Sequence, residues 1–267
     1  MKSLGVIAGG GGLAFAIAHE AREKGVERIV AIAFPGQTAA ELERYVDEIH
    51  WVHVGQLGTL IKTLLRAGVT EAVMAGRLDP TLVISALRLD MRMIALAARV
   101  PDRRADTVLK AIAEEMEKDG IRLLDSTAYL SSLIADRGIM TRNKPGDGEL
   151  EDIAFGAKVA REIARLDIGQ TAVVKKRAVI AVEAMEGTDE AIRRGASLCP
   201  RGIVVVKVSR PMQDMRFDVP VVGERTIDLL LECDAAALAL EAGRTIILDK
   251  DAAMRKADGG GIAVVGI

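Results

Sequence analysis

The densest group of residues able to do chemistry lies in KVSRPMQDMRFDVPVVGERT, the stretch from Lys207 to Thr226. A run of apolar residues leads into Lys207, and Arg216 and Asp218 follow shortly after it. Alternate residues of an extended segment share a face, so Arg216 and Asp218, and with them Asp214, are predicted to lie together. Cations neutralise phosphate oxygens, and a carboxylate holds a divalent metal ion or orients water. The stretch therefore fits a pyrophosphate site; the alternative is a surface hairpin with ion pairs.

Two shorter polar motifs precede this stretch. EAMEGTD, from Glu183 to Asp189, is predicted to be a loop between a strand and a helix. Thr188 or Asp189 could cap that helix, which alone would explain either residue. DIGQ, residues 167–170, is predicted to be a helix end with Gly169 as its C-cap. Both motifs therefore have a structural interpretation beside a ligand-binding one.

A glycine-rich turn, GGGG at residues 9–12, lies between a predicted strand and a predicted helix. The unpaired N–H groups of a helix N-terminus suit a phosphate. Gly9, Gly11 and Ala14 also match the dinucleotide pattern G-x-G-x-x-G/A. The second strand, however, runs into Phe-Pro-Gly instead of the acidic residue that binds the ribose of NAD. The turn thus indicates a phosphate site other than one for NAD, or close packing of a helix on a strand.

The elements that must position these residues alternate regularly through the first 136 residues. Short apolar runs and helical stretches in turn predict a mostly parallel sheet with helices on both faces. The predicted strands are LGVIA, ERIVAIA, IHWVHV, EAVMAG and IRLLDS, and the helices begin near residues 13, 56, 80, 104 and 127.

The second half of the chain has a different pattern. RGIMTRNKPGDGE, residues 137–149, lacks apolar periodicity and is predicted to be a linker. A helix over about 150–166 follows, and then a hairpin in TAVVKKRAVIAVEA. The remaining predictions are a helix from EGTDEAIRRG, a strand in GIVVVKVS, a helix over ERTIDLLLECDAAALALEAG and strands in TIILD and GGGIAVVGI.

These patterns predict an α/β protein of two α/β domains. Residues 1–136 form a Rossmann-like domain with a mostly parallel sheet, residues 137–149 a linker, and residues 150–267 a catalytic domain with a mixed sheet.

Composition excludes several classes of protein. Of the 267 residues, 50% are hydrophobic but only 3% aromatic, which favours cores of Ala, Val, Ile and Leu. The formal net charge of −2 gives no basic field for nucleic acid. Two cysteines are too few for a disulfide framework, and no apolar stretch is long enough for a signal peptide or a membrane span. We therefore expect a cytoplasmic protein.

Taken together, the motifs are more specific than any one of them. The order GGGG, RLDIGQTAVV, VEAMEGTD and K-x-x-R-P-x-Q-D-x-R-F-D-V-P-V-V-G-x-x-T resembles the LpxI-type UDP-2,3-diacylglucosamine pyrophosphatases of lipid A biosynthesis. The resemblance covers essentially the whole chain. It implies a two-domain α/β enzyme that hydrolyses UDP-2,3-diacylglucosamine to 2,3-diacylglucosamine 1-phosphate (lipid X) and UMP with Mg²⁺ as cofactor.

The resemblance also implies roles for individual residues. The essential aspartate of the family corresponds to Asp218, and Arg216 and Lys207 join it as catalytic residues. Asp218 and Asp214 are the predicted metal ligands, although Asp218 could position water instead. The predicted substrate-binding residues are Gly10, Gly11, Gly12, Gly76, Gln170, Glu186, Gly187, Thr188, Asp189 and Gln213.

The expected partner is the nucleotide-activated diacyl amino-sugar, with no nucleic acid and at most peripheral contact with the inner membrane. Two other classes of function stay open at the level of sequence. One is a Rossmann-type NAD(P) oxidoreductase, suggested by Gly9, Gly11 and Ala14. The other is a non-catalytic nucleotide-binding regulator, suggested by the lack of a His or Cys nucleophile arrangement.

Overall fold

The computed structural model describes residues 3–78, 89–100, 104–211 and 213–267, and the elements below are numbered in chain order within them. The chain forms two compact units. Unit 1 contains the residues up to Ser131 and also Asp214–Asp218. Unit 2 contains Ser132–Gln213 and Val219–Ile267.

Unit 1 is built on a five-stranded sheet in which every pair of neighbouring strands is parallel. The order is β3-β2-β1-β4-β5, which places the first strand in the middle, as in a doubly wound fold. The strands are β1 (Ser3–Ala8), β2 (Arg28–Ala33), β3 (Glu48–Trp51), β4 (Glu71–Ala75) and β5 (Arg122–Leu123). The helices are α1 (Leu13–Glu23), α2 (Leu57–Arg66), α3 (Met91–Arg99) and α4 (Ala105–Lys118), with a 3-10 turn over Ala40–Arg44.

The central strands of unit 1 are buried on both faces because helices cover them. Five of the six residues of both β1 and β2 are buried, so their sequences are continuous apolar runs. α1 packs on β1 and β4 through a face that includes Ile17 and Ala18, both at 0% exposure. A core cluster of apolar residues joins β2, α2 and α4, and it includes Ile32, Leu64 and Met116.

Unit 2 contains a six-stranded mixed sheet in the order β6-β13-β11-β9-β7-β8. β9, β11 and β13 are parallel to one another, whereas β6 and β7 are antiparallel to their neighbours. The strands are β6 (Gly138–Ile139), β7 (Thr171–Lys175), β8 (Ala178–Val182), β9 (Val204–Lys207), β11 (Ala237–Leu240) and β13 (Ala263–Gly266); β10 (Val221–Val222) and β12 (Ile246–Ile247) form a separate parallel pair. The helices are α5 (Asp147–Arg165), α6 (Thr188–Leu198), α7 (Glu224–Glu232) and α8 (Lys250–Gly259).

The two faces of the unit 2 sheet bury two different core clusters. Val204 and Val206 of β9 pack with Ala160 of α5, whereas Val205, between them, packs with Ile192 of α6. This alternation follows from the two-residue period of a strand. The hairpin of β7 and β8 turns at Lys176 and Arg177, whose backbone N–H groups donate to the buried Asp152 carboxylate.

The predicted fold class is confirmed, with a parallel sheet in unit 1 and a mixed sheet in unit 2. Several element predictions were wrong. The predicted helix near residue 127 is replaced by turns, and ERTIDLLLECDAAALALEAG contains helix α7 and then strand β11. Helix α8 was not predicted. Residues 80–88 of the helix predicted from residue 80 lie outside the described residues, and α3 follows them.

The segment predicted as a linker, residues 137–149, lies within unit 2. Its residues 138–139 form β6, which pairs with β13, and its last residues begin α5. The short length of β6 explains why no apolar periodicity is visible there. The C-terminal part of the chain also departs from the predicted 150–267 domain, because Asp214–Asp218 belongs to unit 1.

Candidate functional site

The glycine turn of unit 1 lies where β1 ends and is held by the segment that follows β4. Gly10 N donates to Arg77 O at 2.7 Å, and Arg77 N donates back to Gly10 O at 3.0 Å. A Cβ atom at Gly76 would lie 2.3 Å from Gly10 O, and the φ of Gly76 is +89°. Gly76 is therefore required by the close approach of two backbones. This requirement gives Gly76, which was predicted to bind substrate, a structural role.

The predicted binding residues Gly11 and Gly12 are exposed at the start of α1. Gly12 is the N-cap, and within the part of the chain that the structure describes no side chain accepts a hydrogen bond from the first turn of the helix. The first N–H groups of a helix lack intrahelical partners, so they are available to an anion. Gly10 is half-buried, and its backbone N–H and carbonyl are both used by Arg77.

The segment Asp214–Asp218 is a compact turn, which corrects the prediction of an extended segment. Phe217 N and Asp218 N both lie within hydrogen-bond distance of Asp214 O. The Phe217 ring packs against the apolar core of unit 1. The buried Ser126 anchors the turn, because its N–H donates to Met215 O and its hydroxyl lies 2.8 Å from Met74 O and 3.0 Å from Arg216 O.

This anchoring places the turn near the carboxyl end of β4. Met74 is the fourth residue of that five-residue strand, and the glycine turn follows the neighbouring strand β1. Ligands of open parallel sheets bind at the carboxyl ends of the strands, where the strand order reverses. In unit 1, the structure thus brings two predicted site segments, GGGG and 214–218, to the same sheet edge.

Asp214 and Arg216 form a two-pronged ion pair within this turn. Arg216 Nη2 lies 2.7 Å from Asp214 Oδ2, and Arg216 Nε lies 3.0 Å from Asp214 Oδ1. The hydrogen bonds from Arg216 lower the pKa of Asp214, and the same bonds raise the pKa of Arg216. Both carboxylate oxygens of Asp214 are therefore engaged, which argues against its predicted role as a metal ligand.

Asp218 has a different environment. It is half-buried, and no side chain of the described residues donates a hydrogen bond to its carboxylate or pairs with it. Within the part of the chain that the structure describes, no three His, Cys, Asp or Glu residues form a metal-binding group. A metal ion at Asp218 would therefore need most of its ligands from phosphate and water. Mg²⁺ accepts such a set, since it binds through one or two carboxylates and keeps several other oxygen ligands.

In unit 2, a buried polar network lies where β8 and β9 end. Lys207, at 4% exposure, donates from Nζ to Thr188 Oγ1 at 2.7 Å. Thr188 Oγ1 donates to Glu183 Oε1 at 2.9 Å. Glu183, at 8% exposure, directly follows β8, and Thr188 is the first residue of α6. The alternative of a helix cap by Thr188 or Asp189 does not hold, because Gly187 is the N-cap and no side chain among the described residues caps α6.

The DIGQ motif joins this network through the backbone. Gln170 N donates to Glu183 Oε2 at 3.2 Å. A Cβ atom at Gly169 would lie 2.0 Å from Glu183 O, so the glycine allows the two backbones to approach. The prediction of Gly169 as a C-cap was wrong: α5 ends with Leu166 as its C-cap, and the left-handed residue there is Asp167, with φ of +58°.

The remaining predicted residues of the EAMEGTD loop, Glu186, Gly187 and Asp189, are exposed or half-buried. Glu186 is exposed and pairs with Arg194 at 2.5 Å, while Asp189 lies 3.8 Å from the exposed Arg225. Gly187 has φ of +84° with open space around its Cβ position. Glu186 and Asp189 are accessible to a ligand, but each already has a basic neighbour.

Four buried polar atoms close to the end of β9 have no hydrogen-bond partner among the described residues. They are Ser209 Oγ, Arg210 Nε and Gln213 Nε2, which follow β9, and Oε1 of Gln170, whose carbonyl accepts from Val208 N at 2.9 Å. Ser209 is only 5% exposed, and its N–H donates to Glu241 Oε2 at 2.6 Å. Gln213 Oε1 accepts from Arg210 N at 2.9 Å. Buried polar atoms are usually satisfied, so these atoms mark a place where a polar ligand or water can bind.

Three residues of these sites were absent from the predicted set: Glu183, Ser126 and Ser209. Glu183 could have been found, because it is a carboxylate at the end of a predicted strand. Ser126 is the last residue of the predicted strand IRLLDS, but its contact with residues 215–216 spans about ninety positions and has no local signal. Ser209 is an ordinary serine in sequence, and its burial could not be predicted.

Every helix in the described part of the chain is too short or too polar to cross a lipid bilayer. Comparison with known families matches residues 3–133 to the LpxI N-terminal domain and residues 136–265 to the LpxI C-terminal domain. A curated relative from Caulobacter vibrioides, named UDP-2,3-diacylglucosamine pyrophosphatase LpxI, is 34% identical over 286 aligned positions. The match covers 100% of this chain and 98% of the relative.

A solved structure also matches, the biotin carboxylase complex with β,γ-ATP from Campylobacter jejuni. The identity is 14% and the TM-score 0.26, and the match covers 73% of this chain and 41% of that chain. A likeness this weak carries no argument about fold or function.

Proposed function

Because the chain belongs to the LpxI family, we propose that it hydrolyses the pyrophosphate bond of UDP-2,3-diacylglucosamine to 2,3-diacylglucosamine 1-phosphate and UMP. The observation that carries this proposal is the full-length match to a relative named for this activity. The residues of unit 1 support it, because an open carboxylate and a guanidinium lie in one short turn near the carboxyl edge of a parallel sheet.

The reaction joins a water oxygen to one phosphorus and breaks the bond from that phosphorus to the bridging oxygen. The other phosphate leaves with the bridging oxygen, and a proton is released to solvent. Such a reaction needs an aligned water molecule and positive charge on the phosphate oxygens. Asp218 is suited to accept a hydrogen bond from the water, since no protein donor occupies its carboxylate within the described residues.

Arg216, in unit 1, is suited to neutralise phosphate oxygens, and so is Lys207, considered within unit 2. The planar Arg216 guanidinium is held by Asp214 and lies 4.9 Å above the Phe217 ring, which fixes its orientation. The buried Lys207 ammonium is held by Thr188. Preorganised charges of this kind stabilise a transition state without reorganising during the reaction.

We also propose that the reaction depends on Mg²⁺. When bound, the ion would neutralise phosphate oxygens and bring the water toward phosphorus. Asp218 is the carboxylate available to hold it, while Asp214 serves Arg216. Of the two predicted metal ligands, the Arg216 pairing leaves Asp218 for the ion, so weak binding of Mg²⁺ is expected in the absence of a pyrophosphate ligand.

The test is hydrolysis of UDP-2,3-diacylglucosamine by the purified protein, followed as release of UMP. Activity should stop in excess EDTA and return when Mg²⁺ is added. Absence of UMP release with Mg²⁺ present would overturn the proposed reaction, whereas full activity in EDTA would overturn only the metal dependence. NAD and NADP should fail to bind, because the acidic residue for the ribose is missing after β2.

A further inference from the structure

The contacts around Lys207 form a directed chain of hydrogen bonds. A threonine hydroxyl carries one proton, and the Thr188 proton points to Glu183 Oε1 at 2.9 Å. The Thr188 Oγ1 atom itself accepts a hydrogen bond from Lys207 Nζ at 2.7 Å, because an ammonium group can only donate. The second oxygen of Glu183 accepts from Gln170 N, so that this carboxylate is itself fixed from two sides.

The members of this chain are held by rigid elements. Lys207 ends β9 and lies in register with Thr171 of β7, and the Thr171 hydroxyl is 3.5 Å from that of Thr188. Glu183 N donates to Thr171 O at 2.8 Å, which ties the end of β8 to β7. The positions of Glu183 and Thr188 are therefore determined by the sheet and by the start of α6.

We propose that Glu183 and Thr188 are positioning residues that hold the Lys207 ammonium for its work on the pyrophosphate. This inference rests on the proposed function, which gives Lys207 that role. A lysine side chain has four rotatable bonds, and a buried cation needs a fixed anionic partner to remain charged in one place. Glu183 supplies the negative charge, and the Thr188 hydroxyl bridges the two groups by accepting from Lys207 and donating to Glu183.

Kinetic analysis of Thr188→Val tests this role, since valine keeps the shape of threonine and removes the hydroxyl. We expect kcat to fall by about tenfold to a hundredfold, because a displaced catalytic group costs rate. Thr188→Ser should restore most of the activity. Glu183→Gln, which keeps the shape and removes the charge, should lower kcat in the same direction. Wild-type kcat in Thr188→Val would overturn the proposal.

A double-mutant cycle distinguishes positioning from general damage to the fold. In a Lys207→Met background, Thr188→Val should cause little further loss, because its effect passes through Lys207. Losses that multiply in the double variant would contradict the proposal. Thr141→Val is the matched control: Thr141 is a buried threonine of unit 2 whose hydroxyl contacts Asn143 O and Val264 N, and its loss should lower thermal stability without changing kcat.

A measurement without substrate separates failure of this inference from failure of the proposed function. In ¹⁵N NMR, the ammonium signal of Lys207, identified by its absence in Lys207→Met, should exchange slowly with water in the wild type. It should vanish in Thr188→Val and persist in Thr188→Ser. Persistence in Thr188→Val would overturn the positioning role even if the protein hydrolyses the substrate, whereas loss of the signal supports it even if UDP-2,3-diacylglucosamine is not hydrolysed.

Discussion

Asp218 is the residue for which the structure offers the sharpest separation of catalysis from stability. Its carboxylate contributes no hydrogen bond or ion pair to the described residues, so replacing it removes no stabilising contact. Asp218→Asn should lower kcat by at least about a hundredfold while the melting temperature stays within a degree or two of the wild type.

UMP release and a thermal melt of the same preparation measure both effects. Asp214→Asn is the matched control from the same turn. It should lower the melting temperature, because it weakens the ion pair with Arg216. Near-normal turnover by Asp218→Asn would remove this carboxylate from the mechanism.

Gly76 gives a prediction about the shape of the glycine turn. Gly76→Ala places a Cβ atom 2.3 Å from Gly10 O at a φ of +89°, so the backbone must move. We expect a loss of about 2–4 kcal/mol in the free energy of unfolding, measured in urea. Gly68→Ala is the control, since Gly68 has φ of +69° with open space around it, and should cost about 1 kcal/mol. Equal losses in both variants would show that the contact with Gly10 is unimportant.

Sequence predicted the residue types of the site better than their contacts. Lys207 and Thr188 were both singled out, but the bond between them depends on the register of β7, β8 and β9. The ion pair of Asp214 and Arg216 is a local contact of residues i and i+2, yet alternation in an extended segment predicted only a shared face. The turn forms because Phe217 and the backbone around Arg216 pack on distant residues of unit 1.

At the scale of elements, the α3–α4 pair carries a pH-dependent contribution to stability. Glu115 of α4 accepts from Lys118, Arg99 and Arg92. These bonds, chiefly that from Lys118, lower the pKa of Glu115 to about 2 from its usual 4.5. Between these two values the unfolded chain binds the proton more readily than the folded protein. The contribution is therefore complete above about pH 4.5 and is lost as the pH falls toward 2.

Glu115→Gln tests this contribution. At pH 7, the variant should lose about 1–3 kcal/mol in the free energy of unfolding, as expected for hydrogen bonds to a charged group. The difference from wild type should shrink as the pH is lowered from about 4.5 to 2. Urea unfolding at several pH values measures it. Glu162→Gln, on an exposed ion pair with Arg165, is the control and should show a much smaller difference. A constant difference for Glu115→Gln at all pH values would contradict the prediction.

Element boundaries were predictable where the apolar residues of a segment followed one pattern, that of a strand or that of a helix. The continuous apolar runs of β1, β2 and β9 and the hairpin around Lys176 were predicted correctly. In DLLLECDAAALALEAG, by contrast, leucine and alanine suit a helix and a buried strand equally well. The chain leaves α7 at Asp234, which has φ of +48°, and Ala237–Leu240 becomes β11 because it pairs with β9 and β13. Tertiary pairing decided this boundary.

At the scale of the whole molecule, the chain is not divided into two simple halves. Unit 1 takes five residues, Asp214–Asp218, from a stretch otherwise belonging to unit 2. Those five include the two predicted metal ligands and Arg216. A sequence pattern cannot reveal such an exchange, because the neighbouring residues on both sides fold into the other unit. The predicted limits assign Asp218 to the C-terminal domain, whereas the structure groups Asp214–Asp218 with unit 1.

The last prediction concerns which phosphorus of the pyrophosphate is attacked by water. Both phosphorus atoms are electrophilic, and the outcome depends on which one lies in line with the water held near Asp218. Family resemblance implies attack at the phosphorus attached to the sugar, with UMP as the leaving group. Hydrolysis in oxygen-18 water should then place the label in 2,3-diacylglucosamine 1-phosphate and leave UMP unlabelled, as read by mass spectrometry. The control incubates unlabelled products with the protein in the same water and should show no exchange. Label in UMP would assign the attack to the uridine-side phosphorus, because the oxygen of the attacking water stays on the phosphorus that it attacks.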